Sequence, residues 1–121
     1  MATGKPIGEF SLKCTSWRFS PGPAGSSVVE GNFEGTASGF GTVLGTGTFM
    51  VGKIGTFSYC GAAFPENGEI LTASGTGSYE SVGKHRWRTA GTLQLLDGRT
   101  LITEGEVDLA TRSWNGKQFE K

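Results

Sequence analysis

Histidine and cysteine are scarce in this chain, and their scarcity limits the chemistry that it can hold. The 121 residues include one histidine and two cysteines, Cys14 and Cys60, with no CxxC pair. A single histidine excludes a metal site built on two histidine ligands, and two isolated cysteines build neither a zinc site nor a disulfide framework. We therefore expect no metal site and free thiols at both cysteines.

The chain also lacks a net charge, long apolar runs and helical periodicity. Eleven basic and eleven acidic residues cancel, and no run of like charges offers the surface that would hold a phosphate backbone, which predicts no nucleic-acid partner. The apolar runs are far shorter than the roughly 20 residues that span a bilayer, and the N-terminus lacks the basic-then-apolar order of a signal peptide. These features predict a soluble, cytoplasmic protein with no membrane partner.

Glycine and threonine, by contrast, are abundant and adjacent. The dipeptide Gly-Thr occurs seven times, with its glycine at positions 35, 41, 45, 47, 55, 75 and 91. Threonine favours the pleated conformation, and glycine inside a strand leaves room for a bend or for a closely approaching group. The pattern is typical of strongly bent β-strands.

Turn signals such as Pro65-Glu66-Asn67-Gly68 and Asn115-Gly116 recur at short intervals and divide the chain into seven or eight strands. Such strands could form a sandwich or close into a barrel, and the short hairpin spacing favours closure. We predict an all-β fold, a single eight-stranded antiparallel up-and-down β-barrel, as one domain over residues 1–121. The interior of a barrel of this size is filled by side chains or holds one small ligand.

The segment 85–109 is the most informative for function. Its Asp97-Gly98 dipeptide predicts a two-residue hairpin turn in which Leu96 pairs with Arg99. Counting back from this turn gives two faces. The first face holds His85, Trp87, Thr89, Gly91, Leu93 and Leu95 opposite Asp108, Glu106, Glu104, Ile102 and Thr100. The second face holds Arg86, Arg88, Ala90, Thr92, Gln94 and Leu96 opposite Leu109, Val107, Gly105, Thr103 and Leu101.

Either face can line the barrel, and the two choices differ in function. With the first face inside, acidic side chains gather with an imidazole and an indole, and desolvation would raise the pKa of a carboxyl group toward the range where acid–base catalysis works. With the second face inside, the three acids form a solvated stripe and nothing catalytic remains there. Burying Arg86 and Arg88 without paired anions is costly, which favours the first face, although a one-residue bulge would reverse the choice.

Three segments of the chain carry a resemblance to a known family. They are Gly8-Glu9-Phe10 through Thr15-Ser16-Trp17, then Gly31-Asn32-Phe33-Glu34-Gly35, and Gly75-Thr76-Gly77. The pattern resembles that of small bacterial proteins with an allene-oxide-cyclase-like, or calycin-like, β-barrel. The resemblance implies an eight-stranded barrel, frequent assembly into homo-oligomers, and apolar small molecules that are cyclised, isomerised or coupled without a cofactor. It carries over no catalytic residue.

The first face yields our leading hypothesis, an enzyme that binds a small, largely apolar organic molecule in the barrel. It would catalyse isomerisation, cyclisation or elimination by acid–base chemistry, as an isomerase, cyclase or lyase. The predicted catalytic residues are Asp108 or Glu106 as the base, His85 as the partner acid and Tyr59 as the donor to a substrate oxygen. The predicted ligand-binding residues are Trp87, Glu104, Leu93, Ile102 and Tyr79. The alternatives are a non-catalytic carrier or sensor barrel, and a filled structural barrel that acts through oligomer contacts.

Overall fold

Eight antiparallel strands form a closed barrel in the computed structural model, which describes residues 4–121. The strands are β1 (Pro6–Pro21), β2 (Ser27–Ala37), β3 (Gly41–Met50), β4 (Ile54–Phe64), β5 (Leu71–Gly83), β6 (Arg86–Leu95), β7 (Thr100–Asp108) and β8 (Ser113–Glu120). Each strand pairs with the next along the chain, and β8 pairs with β1 to close the sheet. The predicted all-β, up-and-down barrel is confirmed, while residues 1–3 of the predicted domain lie outside the described range.

The connections alternate between two ends of the barrel. The upper end carries the β1–β2, β3–β4, β5–β6 and β7–β8 connections, and the lower end carries the other three together with the start of β1 and the end of β8. The one helical element among residues 4–121 is a single 3₁₀ turn at Pro23–Gly25. Within the same range, no helix has the length and apolar character needed to cross a bilayer.

The Gly-Thr pairs have a structural explanation inside the barrel. A side chain added at Gly45 would collide with the phenol of Tyr59, and one added at Gly55 would collide with the phenol of Tyr79. Gly47 and Gly91 lie against aromatic rings in the same way. At these positions glycine leaves the space that an inward-pointing ring occupies, because a close-packed interior has no room for both. These four glycines therefore serve the packing of the aromatic core.

A group of aromatic rings around Trp114 fills the middle of the barrel. The Trp114 side chain is buried, and its indole N–H donates a hydrogen bond of 3.1 Å to Oγ1 of Thr89, which is also buried. Five rings meet the indole edge-on, with centroid separations from 5.2 to 6.3 Å: Phe10, Phe33, Phe49, Phe57 and Tyr59. We call these six residues the aromatic plug. Edge-to-face contacts of this kind stabilise aromatic clusters beyond the burial of their area.

The β6–β7 hairpin differs from its prediction by one residue. Leu95 and Arg99 close a three-residue loop, in which Leu95 N donates to Arg99 O over 2.9 Å and Gly98 N donates to Leu95 O over 3.0 Å. Gly98 has a φ of +99°, a conformation that glycine adopts without strain. The predicted pairing of Leu96 with Arg99 is therefore wrong, because an Asp-Gly dipeptide fits a three-residue loop as well as a two-residue one.

This extra loop residue reverses the faces of β7 but not those of β6. Trp87 pairs with Val107 and Leu93 pairs with Leu101, so apolar residues of both strands point into the barrel. The acidic residues of β7 alternate with them and lie on the outer face, where Glu106 forms an ion pair of 3.6 Å with Arg86. The inner face of β6 is therefore the first predicted face, whereas the inner face of β7 is the second predicted face. As a result, the predicted cluster of acidic residues with Trp87 inside the barrel does not form.

Candidate functional site

A cavity of about 320 Å³ opens at the upper end of the barrel. Its walls are almost entirely apolar, and six of the lining residues are aromatic: Trp17, Phe19, Phe33, Phe49, Tyr79 and Trp87. Aliphatic side chains such as Val51 and Leu109 complete the rim. Sites for small organic ligands are mostly apolar clefts of about 300 Å³ or more, which the upper cavity matches.

The shape of the cavity depends on an irregularity in β1. The pairing of β1 with β2 shifts between Cys14 and Ser16, so Thr15 is an extra residue in β1. Before this bulge the even-numbered residues Phe10 and Leu12 enter the core, and after it Trp17 and Phe19 line the cavity instead. Because a bulge moves the following side chains to the other face, it turns two large aromatic residues toward the mouth.

Trp17 and Phe19 remain 47% and 58% exposed, respectively. Val51 on the β3–β4 connection and Leu109 on the β7–β8 connection, at the same end of the barrel, are exposed to a similar extent. A concave cluster of large exposed apolar side chains is unusual on a soluble domain and typically marks a binding surface.

Three side-chain donors of the cavity walls are engaged by backbone carbonyls, and the hydroxyl of Ser113 lies 2.7 Å from Oγ1 of Thr111. Trp87 Nε1 donates to Gly52 O over 2.9 Å, and the hydroxyl of Tyr79 donates to Met50 O. The Sγ of Cys14 donates to the carbonyl oxygen of Ser16 over 3.3 Å. The walls thus present carbon to a ligand and leave polar recognition to the rim.

Two charged residues border the cavity at the β7–β8 connection. The guanidinium of Arg112 lies over the Trp17 ring, 5.5 Å from its centroid. Asp108 uses one carboxylate oxygen, Oδ1, to accept a hydrogen bond of 2.9 Å from Ala110 N. These are the charged side chains that a ligand in the upper cavity would meet among the described residues.

A second, smaller cavity of about 80 Å³ lies in the lower half of the barrel, below the aromatic plug. Tyr59 and Gln118 line it, and neither the Tyr59 hydroxyl nor Gln118 Oε1 has a hydrogen-bond partner among residues 4–121. Burial raises the pKa of Tyr59 to about 12, because a phenolate there would lose its hydration. The volume suits one or a few water molecules, since an engineered cavity that holds benzene measures about 150 Å³.

The residues predicted for the site are distributed over four regions of the structure, of which the β5–β6 turn holds only His85. Tyr79, Trp87 and Asp108 line the upper cavity. Leu93 and Tyr59 line the lower cavity. Ile102, Glu104 and Glu106 lie on the outer face of β7.

His85 is exposed in the β5–β6 turn, with a left-handed φ of +55°. Its carbonyl oxygen accepts a hydrogen bond of 3.1 Å from Leu109 N, which places its backbone beside the end of β7. The structure therefore brings His85 and Asp108 to the same end of the barrel. It does not bring them into one cavity with Tyr59 or Glu106.

Sequence reasoning missed Trp17, Phe19 and Arg112. The signal for the first two was the change from even-numbered to odd-numbered apolar positions along β1, which indicates a bulge between Leu12 and Trp17. No signal marked Arg112, whose place over an indole follows only from the closure of β8 against β1.

No family model, curated protein or solved structure matches this chain at a significant level. The resemblance to allene-oxide-cyclase-like barrels therefore stays a prediction, and the functional argument depends on the geometry of the cavities.

Proposed function

We propose that this protein binds a small, largely apolar organic molecule containing a flat ring system, and acts as a non-catalytic carrier or sensor. The observation that carries the proposal is the upper cavity, with its aromatic walls and a volume of about 320 Å³. A ligand there would cover Trp17 and Phe19, each of which exposes about half of its surface. Removing that apolar surface from water is favourable by roughly 25 cal/mol per Å².

A ring system is favoured over a flexible chain by the residues that form the walls. Trp17 and Trp87 are both indoles at the mouth, and Phe49 and Tyr79 contribute rings deeper in the cavity. Aromatic side chains attract other rings in offset or edge-to-face arrangements. A rigid ligand also loses less conformational entropy on binding.

The second candidate is a cofactor-independent isomerase, cyclase or lyase acting on a molecule of the same class. The observation that favours it is the Asp108 carboxylate at the rim of the upper cavity, where a proton acceptor could reach a bound ligand. Substituting Asp108 by Asn separates the two candidates. A carrier binds neutral naphthalene-2-carboxamide equally well in both forms and shows no turnover in either, whereas an enzyme loses turnover.

We propose a cytoplasmic location as well. Cys14 and Cys60 are free thiols in the structure. Unpaired cysteines are typical of a reducing compartment.

The binding proposal is tested by calorimetric titration with naphthalene-2-carboxamide, a neutral bicyclic probe. We expect saturable binding to the wild-type protein and at least fivefold weaker binding to Phe19→Ala, which removes one wall. The matched control is Leu96→Ala, since Leu96 is 78% exposed at the opposite end of the barrel. Equal affinity of all three proteins, or no binding to any of them, would contradict the proposal.

A further inference from the structure

We propose that the ligand of the upper cavity carries a carboxylate on its ring system, and that Arg112 recognises that group. The inference rests on the proposed function and adds the chemical class of the ligand. It is based on the hydrogen-bonding and charged groups of the cavity walls and rim.

The side-chain donors in the cavity walls already have hydrogen-bond partners. The Ser113 hydroxyl lies 2.7 Å from Oγ1 of Thr111. Trp87 Nε1, the Tyr79 hydroxyl and the Cys14 thiol each donate to a backbone carbonyl. A polar group on the ligand would lose its hydration inside the cavity without compensation, which costs free energy. Such a group is therefore expected at the rim, where Arg112 lies.

Arg112 is also free to take a new partner. The chain has five arginines, and four of them, Arg18, Arg86, Arg88 and Arg99, form ion pairs with carboxylates. Within residues 4–121, Arg112 forms none. A guanidinium binds a carboxylate through two parallel N–H donors, a geometry that an ammonium does not offer.

The backbone of Arg112 is held in place by two hydrogen bonds. Arg112 has a left-handed φ of +51°, its N donates to Leu109 O over 3.3 Å, and its O accepts from Cys14 N over 2.8 Å. The guanidinium carbon lies over the Trp17 ring, 5.5 Å from its centroid. A cation–π contact of this kind uses no N–H donor, so the guanidinium donors stay available.

Asp108 is the competing charge at the rim, since its carboxylate would repel an anion and attract an amine. Its Oδ1 already accepts a hydrogen bond from Ala110 N. The guanidinium of Arg112 donates no hydrogen bond to any described residue. Arg112 therefore has more unused hydrogen-bonding groups to offer a ligand than Asp108 has. If an amine-bearing ligand bound most tightly, Asp108 and not Arg112 would be the residue that recognises the ligand.

The test compares three probes of one shape by calorimetry: naphthalene-2-carboxylate, its neutral carboxamide, and the cationic 2-(aminomethyl)naphthalene. At low salt we expect the carboxylate to bind wild type about fivefold more tightly than the carboxamide, because a charge-assisted hydrogen bond at a partly exposed site contributes on the order of 1 kcal/mol. Arg112→Gln should abolish this preference, and Arg112→Lys should keep only part of it. Arg18→Gln, which removes an exposed arginine outside the cavity, should leave it unchanged.

Failure of this inference is distinguishable from failure of the proposed function. If the carboxamide binds and the carboxylate binds no more tightly, or if the preference survives in Arg112→Gln, the assignment to Arg112 is overturned while the apolar site stands. Tightest binding of the amine also overturns it. If no probe binds, the proposed function itself fails. Because Arg112 is exposed, its substitution is expected to leave the barrel folded, and thermal unfolding of each variant checks this.

Discussion

Trp114 on β8 and Thr89 on β6 are joined by a hydrogen bond between buried side chains, 3.1 Å from indole nitrogen to hydroxyl oxygen. The two strands are not neighbours in the sheet, since β7 lies between them. The bond therefore crosses the barrel interior and fixes the indole around which the aromatic plug assembles. The plug separates the upper cavity from the lower one, and no residue lines both.

Thr89→Val should destabilise the protein by about 1–3 kcal/mol, because it keeps the shape of the side chain but leaves the buried indole N–H of Trp114 without an acceptor. Equilibrium urea unfolding measures the change. The matched control is Thr56→Val on the exposed face of β4, expected within about 0.5 kcal/mol of wild type. Equal stability of the two variants would show that the hydrogen bond does not anchor the plug.

Gly45→Ala should also destabilise the barrel, by about 1–3 kcal/mol, because the new methyl group would occupy the space of the Tyr59 phenol. Gly52→Ala is the control, since no atom lies within 4 Å of its added carbon. In a double-mutant cycle, Tyr59→Leu should recover part of the loss in the Gly45→Ala background, with a coupling energy of at least about 0.5 kcal/mol. Strict additivity would mean that Gly45 is required for some reason other than Tyr59.

Gly98→Ala tests the three-residue loop of the β6–β7 hairpin. Nothing lies near the added carbon, but alanine is strained at a φ of +99°. We expect a loss of about 1 kcal/mol from backbone conformation alone. Gly52→Ala serves again as the control, because Gly52 has equal space and no left-handed φ. A neutral effect at Gly98 would contradict the loop geometry from which the register of β7 follows.

Stability should fall as the pH rises from about 10 to 12. The pKa of Tyr59 is raised to about 12 in the folded protein, whereas an unfolded tyrosine titrates near about 10. Between these values the unfolded chain loses the proton first, so the stabilisation present below pH 10 is lost as the pH approaches the folded pKa. Burial raises the pKa of Tyr79 in the same direction.

Urea unfolding at pH 9, 10 and 11 measures how steeply the free energy of unfolding falls with pH. Tyr59→Phe should make this fall shallower, and Tyr79 should account for part of the fall that remains. An unchanged slope in Tyr59→Phe would indicate that the Tyr59 hydroxyl reaches solvent in the folded protein.

The sequence was informative about the barrel and much less so about its interior. The Gly-Thr pairs and closely spaced turns indicate bent, short-looped strands, and such strands close into a barrel for general physical reasons. The side of a strand that faces inward depends instead on single residues. One extra loop residue, Leu96, moves Glu106 from the predicted interior to the surface, and the bulge residue Thr15 brings Trp17 to the mouth.

Neither irregularity changes the composition or the spacing of the turns, so the fold could be predicted without them. The candidate site could be predicted only in part, because the irregularities decide which side chains face the cavity. Trp87 and Tyr79 were predicted as ligand-binding residues, and both line the upper cavity. Trp87 lies on β6, whose inner face is the predicted one, and Tyr79 lies on β5 before the irregularity between Ser81 and Gly83. Asp108 borders the cavity because it is the last residue of β7, not because its strand face points inward.

The most direct test of the account is to follow the three indole N–H signals of the ¹⁵N-labelled protein by NMR during titration with naphthalene-2-carboxamide. Trp17 and Trp87 line the upper cavity, whereas Trp114 lines the lower one. We predict saturable shifts of the Trp17 and Trp87 signals with a stationary Trp114 signal. Stationary signals for Trp17 and Trp87, or a shift of Trp114 alone, would contradict the claim that the upper cavity is the ligand site.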